Sequence, residues 1–549
     1  MAADDQDPQY EVRGLIVDVG YVPDQATIRK IIRQLRKDVP EFAELVGPRH
    51  GAELIGSGAT DIFIPVRRSA TSTVQRAWAA VHILSEHDLV ADAEPAIQFA
   101  VQPSPESRAR ARSGGSDRHL PGSASADWSI LQSQIKAAWT KFGATGEGVI
   151  VGHPDLGYTD HPEVVSSRLL ISLGYNFEDD AEDPRDPMQS GAGHGSATAS
   201  VIISDTKNSP RVFGVAPAAK LIPLRVSNSV VHFDFSNLVK ALYWAREKKC
   251  DIVSMSLGGP WAGRSLERAV DHVVGDGLIL LAAAGNQWPW VVYPAKLDNV
   301  VAVAACNANR KPWKGSARGS SVDITAPGES VWRAKSDIDD TPPFSVDRSS
   351  GTSYAVATVA GACALWLSHH GATKLRATYQ GRLAAVFLSL LKGSAARIPG
   401  WDTNNYGPGL LDAQKLLALP LPALGAAPLR AAARPQRTLG LRALDALRPY
   451  FPELSSEQLA RASEALLGKG TGGTGRTAAA SRKRASFTLM DEVAFHVATN
   501  PAVRQSFLDA AKPVSTRSHA ATTKSVALTP PAILRRLASE PLRAEIAKS

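Results

Sequence analysis

Between residues 10 and 100 the hydrophobic positions switch between two periods. Val12 to Asp18 reads as a strand, after which Ile28, Ile31, Ile32 and Leu35 recur at i, i+3, i+4 and i+7 and mark one face of a helix. Two short strands are expected at Ala52–Ile55 and Asp61–Val66. A second helix then turns Val74, Trp78, Val81 and Leu84 inward, and a closing strand is expected at Leu89–Ala93. The order βαββαβ is that of a small ferredoxin-like α/β unit. From about Asp127 to Leu419 the pattern lengthens. Strand-like runs at Gly148–Val151, Leu221–Val226, Ile252–Ser256, Leu278–Ala284 and Val300–Ala305 are apolar throughout. Helical stretches separate them, with Leu238, Leu242 and Ala245 on one face, and Leu266, Ala269, Val270 and Val273 on another. Strands with no polar face, separated by helices, predict a parallel sheet covered by helices on both sides.

The pattern breaks in two places. About Gln102 to Ala126 is rich in Ser, Arg, Gly and Pro and reads as a flexible, easily cut linker. After Leu419 the chain becomes Pro/Ala-rich, then suggests an amphipathic helix pair near 438–468, a Gly/Thr linker over 469–476, a basic patch and further helical segments. The expected organisation is an α/β domain over 1–101, a linker over 102–126, the large α/β domain over 127–419 and a helical C-terminal extension over 420–549.

Composition narrows the function. A chain of 549 residues exceeds one average domain. The formal net charge of +8 would suit nucleic acid. However, much of the excess sits in tails and linkers, such as Arg108, Arg110 and Arg112, or Arg482, Lys483 and Arg484, with no aromatic-flanked basic motif nearby. Solvated linkers are therefore the favoured reading over a nucleic-acid partner. The three cysteines, Cys250, Cys306 and Cys363, are far apart and odd in number, which excludes a disulfide framework and gives no zinc spacing. Core packing is expected for all three. The N-terminal Met1-Ala-Ala-Asp-Asp-Gln-Asp is acidic and has no apolar stretch, so no signal peptide is read there. No run approaches the ~18–20 apolar residues of a membrane span. The expectation is a cytoplasmic protein with no membrane partner; export by a route without such a signal is the alternative.

Four segments place reactive residues at the ends of predicted elements. Gly148-Val-Ile-Val-Gly-His-Pro-Asp155-Leu-Gly157 ends a buried strand on a carboxylate, at the sheet edge where open α/β folds bind ligands. Gly193-His194-Gly195-Ser196-Ala197-Thr198-Ala199 sets a histidine between glycines at the start of a helix of small residues. Leu281-Ala-Ala-Ala-Gly285-Asn286-Gln287 ends a strand on an asparagine whose amide could donate to an oxyanion. Ser350-Gly351-Thr352-Ser353-Tyr354-Ala355 opens an apolar helix, where a serine is ordinarily a cap but can equally be a nucleophile beside free backbone N–H groups. Alone, each has a bland reading as a turn or cap. Together they supply what serine catalysis needs: a hydroxyl, a histidine to take its proton, a carboxylate to fix the histidine tautomer, and an oxyanion donor.

In the order Asp, His, Asn, Ser these segments resemble the subtilisin-like serine proteases, the subtilases. The resemblance spans about residues 127–419, just over half the chain. Other segments match in order: Ser133-Gln-Ile-Lys-Ala137, Gly214-Val-Ala-Pro217, Ser254-Met-Ser-Leu-Gly-Gly259, Tyr293-Pro294-Ala295, Ala326-Pro327-Gly328 and Tyr406-Gly-Pro-Gly-Leu-Leu-Asp-Ala413. There are departures. Pro154 precedes Asp155, and Leu156 follows it where the family has Thr or Ser. The family's His-Gly-Thr-His-Val reads His194-Gly-Ser-Ala-Thr, and Tyr354 stands in place of Met.

The resemblance implies a serine endopeptidase with Ser353 as nucleophile, His194 as base, Asp155 orienting the histidine, and Asn286 with the Ser353 backbone N–H as oxyanion hole. His153 and His161 flank Asp155 and are taken as structural or exposed. It implies an edge strand at Ser254–Gly259 and a primary pocket walled by Ser256, Leu257, Gly258, Gly259, Ala284 and Gly285. Val292 at its base would make the pocket shallow, and Gln287 replaces a frequent acid, so a basic preference has less support. Trp288 and Trp290 would roof the site or merely pack a loop. Protein or peptide substrates follow, and the N-terminal domain would act as an intramolecular chaperone and inhibitor. No cofactor is required; a structural calcium ion is a further option, with Glu163 and Asn208 as candidate ligands. Two competing readings are an inactive subtilase scaffold that binds peptides and a nucleic-acid binder acting through its basic tails.

Overall fold

The computed structural model describes residues 10–48, 51–67, 73–99, 125–188, 193–231, 234–423, 447, 451, 488–489, 491–500, 502–504 and 537–548. Most of the 102–126 linker, nearly all of the helix pair near 438–468 and the 469–476 linker lie outside these residues. Contacts divide the chain into two compact units. One comprises Met1–Val101, Gly263–Ser265 and Arg434–Ser549; the other comprises Gln102–Ala262 and Leu266–Ala433.

The first unit holds β1 (Tyr10–Asp18), α1 (Gln25–Asp38), α2 (Pro40–Leu45), β2 (Glu53–Leu54), β3 (Asp61–Pro65), α3 (Val74–Glu86) and β4 (Asp92–Phe99). Its sheet runs β2-β3-β1-β4 with antiparallel neighbours, as a ferredoxin-like arrangement requires. The apolar stripe of α1 (Ile28, Ile31, Ile32 and Leu35) is fully buried. The closing strand begins three residues later than Leu89–Ala93 would place it. Glu94 and Pro95, poor strand formers, sit inside it, and Pro95 pairs with Leu15.

Segments from far along the chain complete this unit. In the helix over 491–499, Phe495 lies against Trp78 and Tyr10, with ring centroids 6.0 and 5.7 Å apart. Glu492 is fully buried beside α3. Its Oε2 lies 2.6 Å from His82 Nε2 and accepts from Ser539 Oγ at 2.7 Å, while Oε1 accepts from Ser539 N at 2.6 Å. Burial alone would raise this carboxyl; hydrogen bonds from His496 and His82 instead pull it down to about 2.

The second unit is built on a seven-stranded parallel sheet. Its strands are β5 (Ile150–Asp155), β6 (Tyr175–Asn176), β7 (Lys220–Arg225), β8 (Ile252–Met255), β9 (Ile279–Ala283), β10 (Val300–Cys306) and β11 (Ile324–Pro327), in the order β11-β10-β9-β8-β5-β7-β6. Every residue of β8, β9 and β10 is buried, which is why these strands show no alternation in the sequence. The chain winds from β5 outward to one edge, then returns to β8 and proceeds to the other. The topological switch therefore lies beside β5, and a crevice is expected at the carboxyl ends of β5 and β8.

Three helices matter most here: α4 (His194–Ile203), α5 (Ser236–Glu247) and α6 (Thr352–His370). Both α4 and most of α6 are buried on all sides, and they pack against each other. The hairpin β12 (Val331–Ser336) and β13 (Phe344–Ser349), unread in the sequence, packs against α4. All three cysteines are buried free thiols, and burial raises each of them. Among the described residues no helix is long and apolar enough to cross a membrane.

Candidate active site

Asp155 closes β5 at the switch point and is completely buried. The chain turns at Gly157, whose φ of +102° suits glycine, and a Cβ there would lie 2.4 Å from the Pro184 carbonyl. On the facing helix a Cβ on Gly195 would lie 2.0 Å from the Gly157 carbonyl, so two glycines let α4 approach the end of β5. That approach brings His194 Nδ1 to 2.7 Å from Asp155 Oδ1, which also accepts from Leu156 N at 2.8 Å. An ionised carboxylate only accepts, so Nδ1 carries the proton and a neutral imidazole keeps its lone pair on Nε2. Burial would push Asp155 up, but the neighbouring His194 outweighs it through charge and hydrogen bond, leaving the carboxyl below its ordinary range.

Ser353 is the second residue of α6 and is buried. Its hydroxyl donates to the Ser256 carbonyl over a long 3.4 Å, while the Ser256 hydroxyl donates to the Ser353 carbonyl at 3.2 Å. Asn286 follows β9, and its Oδ1 accepts from Thr352 N at 2.9 Å and Thr352 Oγ1 at 2.8 Å. A backbone donor on the oxygen fixes which end of the amide is which. The Nδ2 group then lies 3.3 Å, and Ser353 N 3.7 Å, from where a Cβ on Gly351 would be. Two N–H donors thus flank one point at the mouth of α6, where the helix dipole also favours negative charge.

The pocket residues also converge. Val292 side-chain atoms lie 2.7 Å from a Cβ built on Gly258 and 3.1 Å from one built on Gly285, so Val292 fills the gap between these glycines. Val292 N donates to the Ala284 carbonyl at 3.0 Å, and Gly259 pairs with Tyr293 in both directions. The expected edge strand needs correction, because β8 is internal, between β5 and β9. Only past Met255 does the chain leave the sheet, and there Gly258 N already donates to the Val230 carbonyl at 2.9 Å. Trp288 and Trp290 contact each other with centroids 5.7 Å apart.

Both flanking histidines are buried. His161 Nδ1 accepts from Glu163 N at 3.1 Å and Nε2 donates to the Ser345 carbonyl at 2.7 Å, which staples this loop to β13. His153 Nε2 lies 3.0 Å from Thr198 Oγ1, and burial lowers its proton affinity. Three contributing residues carried no sequence signal strong enough to single out. Thr352 anchors Asn286, and Thr198 reaches Asp155. Asp186 accepts from Gly193 N at 2.7 Å, just before His194. Each is a Thr or Asp of a kind that caps and turns use everywhere.

The calcium candidates lie close together, since Asn208 Nδ2 donates to the Pro162 carbonyl next to Glu163. Glu163 Oε1 is buried without a hydrogen bond, while Oε2 accepts from Ser204 Oγ, and burial raises the carboxyl. The nearby Asp205 is already paired with Arg168 and Lys207 at 3.1 and 3.0 Å. Calcium takes six to eight oxygens, and no group of three or more His, Cys, Asp or Glu suited to a metal occurs among the described residues. Glu163 offers one unbonded carboxylate oxygen and Asn208 spends its amide nitrogen on Pro162, too few oxygens to assign the ion here.

Known proteins match this chain over about half of its length. The Subtilase family model matches residues 146–385. Subtilisin E of Bacillus subtilis (strain 168) is 34% identical over 289 residues, 51% of this chain and 69% of its own. Subtilisin Savinase of Lederbergia lenta is 33% identical over 293 residues, 53% of this chain and 98% of its own. Fervidolysin from Fervidobacterium pennivorans, a keratinolytic enzyme related to subtilisin, superposes with a TM-score of 0.55 at 21% identity, covering 76% of this chain and 62% of its own. A parallel sheet with a buried Asp–His pair at its switch point, and relatives matched over most of their length, make this chain a member of the subtilase family, a serine endopeptidase that acts on proteins and requires no cofactor.

Proposed function

We propose that Ser353, His194 and Asp155 are the catalytic triad, with Asn286 Nδ2 and Ser353 N as the oxyanion hole. The observation that carries this reading is the 2.7 Å bond from His194 Nδ1 to buried Asp155. It leaves Nε2 as the basic nitrogen on the helix packed against α6. For reaction the Ser353 hydroxyl turns from the Ser256 carbonyl toward Nε2, and His194 takes its proton as Oγ attacks the scissile carbonyl. The imidazolium then protonates the leaving amine, and water repeats the sequence on the acyl-enzyme. Charge developing on the carbonyl oxygen meets Asn286 and the start of α6.

The pocket between Ser256–Gly259 and Ala284–Gly285 takes the side chain preceding the scissile bond, and Val292 makes it shallow. Val292→Gly is expected to raise kcat/KM for a peptide with Phe at that position about 10-fold relative to one with Ala. An unchanged ratio would place the pocket base elsewhere.

The N-terminal domain is proposed to be the intramolecular chaperone and inhibitor, released from its covalent link by a cut between residues 102 and 126. Its four-stranded ferredoxin-like sheet and its place ahead of the Arg-rich segment support this. The test is fluorophosphonate labelling and intact-mass analysis of wild type beside Ser353→Ala. Label and cut in wild type alone support both readings. Label without the cut leaves a permanent domain, and a folded wild type without label removes the triad.

A further inference from the structure

The residue after Asp155 is Leu156, which has no hydroxyl where the family motif carries Thr or Ser, so Oδ2 of the carboxylate must find its partner elsewhere. Thr198 Oγ1 lies 3.4 Å from Oδ2, reaching it from one turn along α4, and His153 Nε2 lies 3.0 Å from Thr198 Oγ1. Thr198 and His153 are both buried, so each polar group needs its partner inside the protein. We propose that His153 and Thr198 form a hydrogen-bonded relay that positions Asp155, with His153 Nε2–H donating to Thr198 Oγ1 and Thr198 donating to Asp155 Oδ2.

Proton counting gives the direction. The Thr198 hydroxyl has one proton and four oxygen or nitrogen neighbours, since the His194 and Gly195 carbonyls also lie 3.1 Å away. All three oxygens only accept. A neutral His153 with its proton on Nε2 supplies the donor that Thr198 can accept, leaving the Thr198 proton for the acceptors. Of these the ionised carboxylate is the strongest. The 3.4 Å separation is long for this bond, as expected where one proton is shared with two helix carbonyls. Asp155 is thus held on both oxygens: Oδ1 by Leu156 N and His194, and Oδ2 by Thr198. The other charged groups nearby are Asp186, on the loop before α4, and Arg225, which is in backbone register with Asp155 on β7 but turns its guanidinium to Asn176, Asp179 and Asn228; neither hydrogen-bonds Thr198.

The proposal rests on the triad reading, and its test separates the two. Thr198→Val keeps the shape and removes the hydroxyl; His153→Leu removes the donor; Thr198→Ser restores the hydroxyl. With the full chain, Thr198→Val is expected to lower kcat about 10-fold at unchanged KM, and His153→Leu about 3-fold. The double variant should be no slower than Thr198→Val alone, because the two act in series. Fewer donors leave more negative charge on Asp155 facing His194, so the acidic limb of the kcat/KM–pH profile should move up by about half a unit. Thr198→Ser should return both the rate and the limb to wild-type values. Losses of thermal stability with kcat and the acidic limb unchanged would overturn the relay, as would independent, multiplying effects of the two substitutions. Failure of wild type itself to label at Ser353 would instead overturn the triad.

Discussion

The Ser353→Ala chain is expected to fold as wild type does and to hydrolyse peptides about 10⁶-fold more slowly. That scale is the one measured for subtilisin, carried over to a relative. The reason is chemical. In the proposed mechanism the Ser353 hydroxyl forms the acyl-enzyme, while the neighbouring Thr352 hydroxyl is committed to Asn286 Oδ1, so without Ser353 Oγ catalysis must use water from bulk. Asn286, Ser353 N and the binding cleft remain, so turnover about 10³-fold above the uncatalysed rate should persist. The structural cost is small. Ala is a good helix former, the lost hydroxyl made a single long bond to Ser256, and its environment is already packed against α4. Thermal unfolding should therefore move by no more than about 2 °C. Full activity in this variant would exclude Ser353 as nucleophile, while an unfolded variant would require Ser353→Cys, expected to fold and to lose peptidase activity while reacting with thiol reagents.

Asp155→Asn should cost about 10⁴-fold in kcat with KM nearly unchanged. An asparagine is close in size, so the close approach of Gly157 and Gly195 survives. What changes is the tautomer. Asp155 accepts from His194 Nδ1, from Leu156 N and from Thr198. The Asn NH2 group turned toward His194 would donate to Nδ1, moving the imidazole proton to Nε2, and a protonated Nε2 cannot take the Ser353 proton. The alternative orientation keeps the correct tautomer but offers the imidazolium no countercharge. Either way the loss falls on kcat. The check is steady-state kinetics with a fluorophosphonate labelling rate. Labelling should slow with kcat because it uses the same proton transfer, and a variant labelling at the wild-type rate would show that Asp155 orients nothing.

Much of this site could be read in the sequence because its residues sit at boundaries. Asp155, Asn286 and Ser353 each end or begin an apolar run, where a polar residue stands out against buried neighbours, and His194 stands between two glycines. The supporting residues could not be read that way. Thr198 lies inside α4, four residues past His194, and only the closeness of Gly195 to Gly157 brings it near Asp155. Thr352 looks like any residue at a helix start until Asn286 Oδ1 is seen on it. The internal strands were legible by their unbroken apolar character. The short β6 and the hairpin of β12 and β13 were not, because their polar residues are buried or half-buried by partners distant in sequence, as when Ala334 N donates to Ser200 Oγ. The edge reading of Ser254–Gly259 failed for a related reason: strand order, which no local pattern carries, places β8 in the middle of the sheet.

The buried Glu492 beside His82 has a consequence for the order of events at the ribosome. The two residues are 410 positions apart. At a synthesis rate of about 5–20 residues per second, roughly 20–80 s pass between their appearance. For that interval α3 has neither Phe495 against Trp78 nor Glu492 for His82, so this unit is begun before the parallel sheet and completed after it. By then Asp155, His194 and Ser353 have all been translated, so the core around α3 closes only after the intervening parallel-sheet unit has been made.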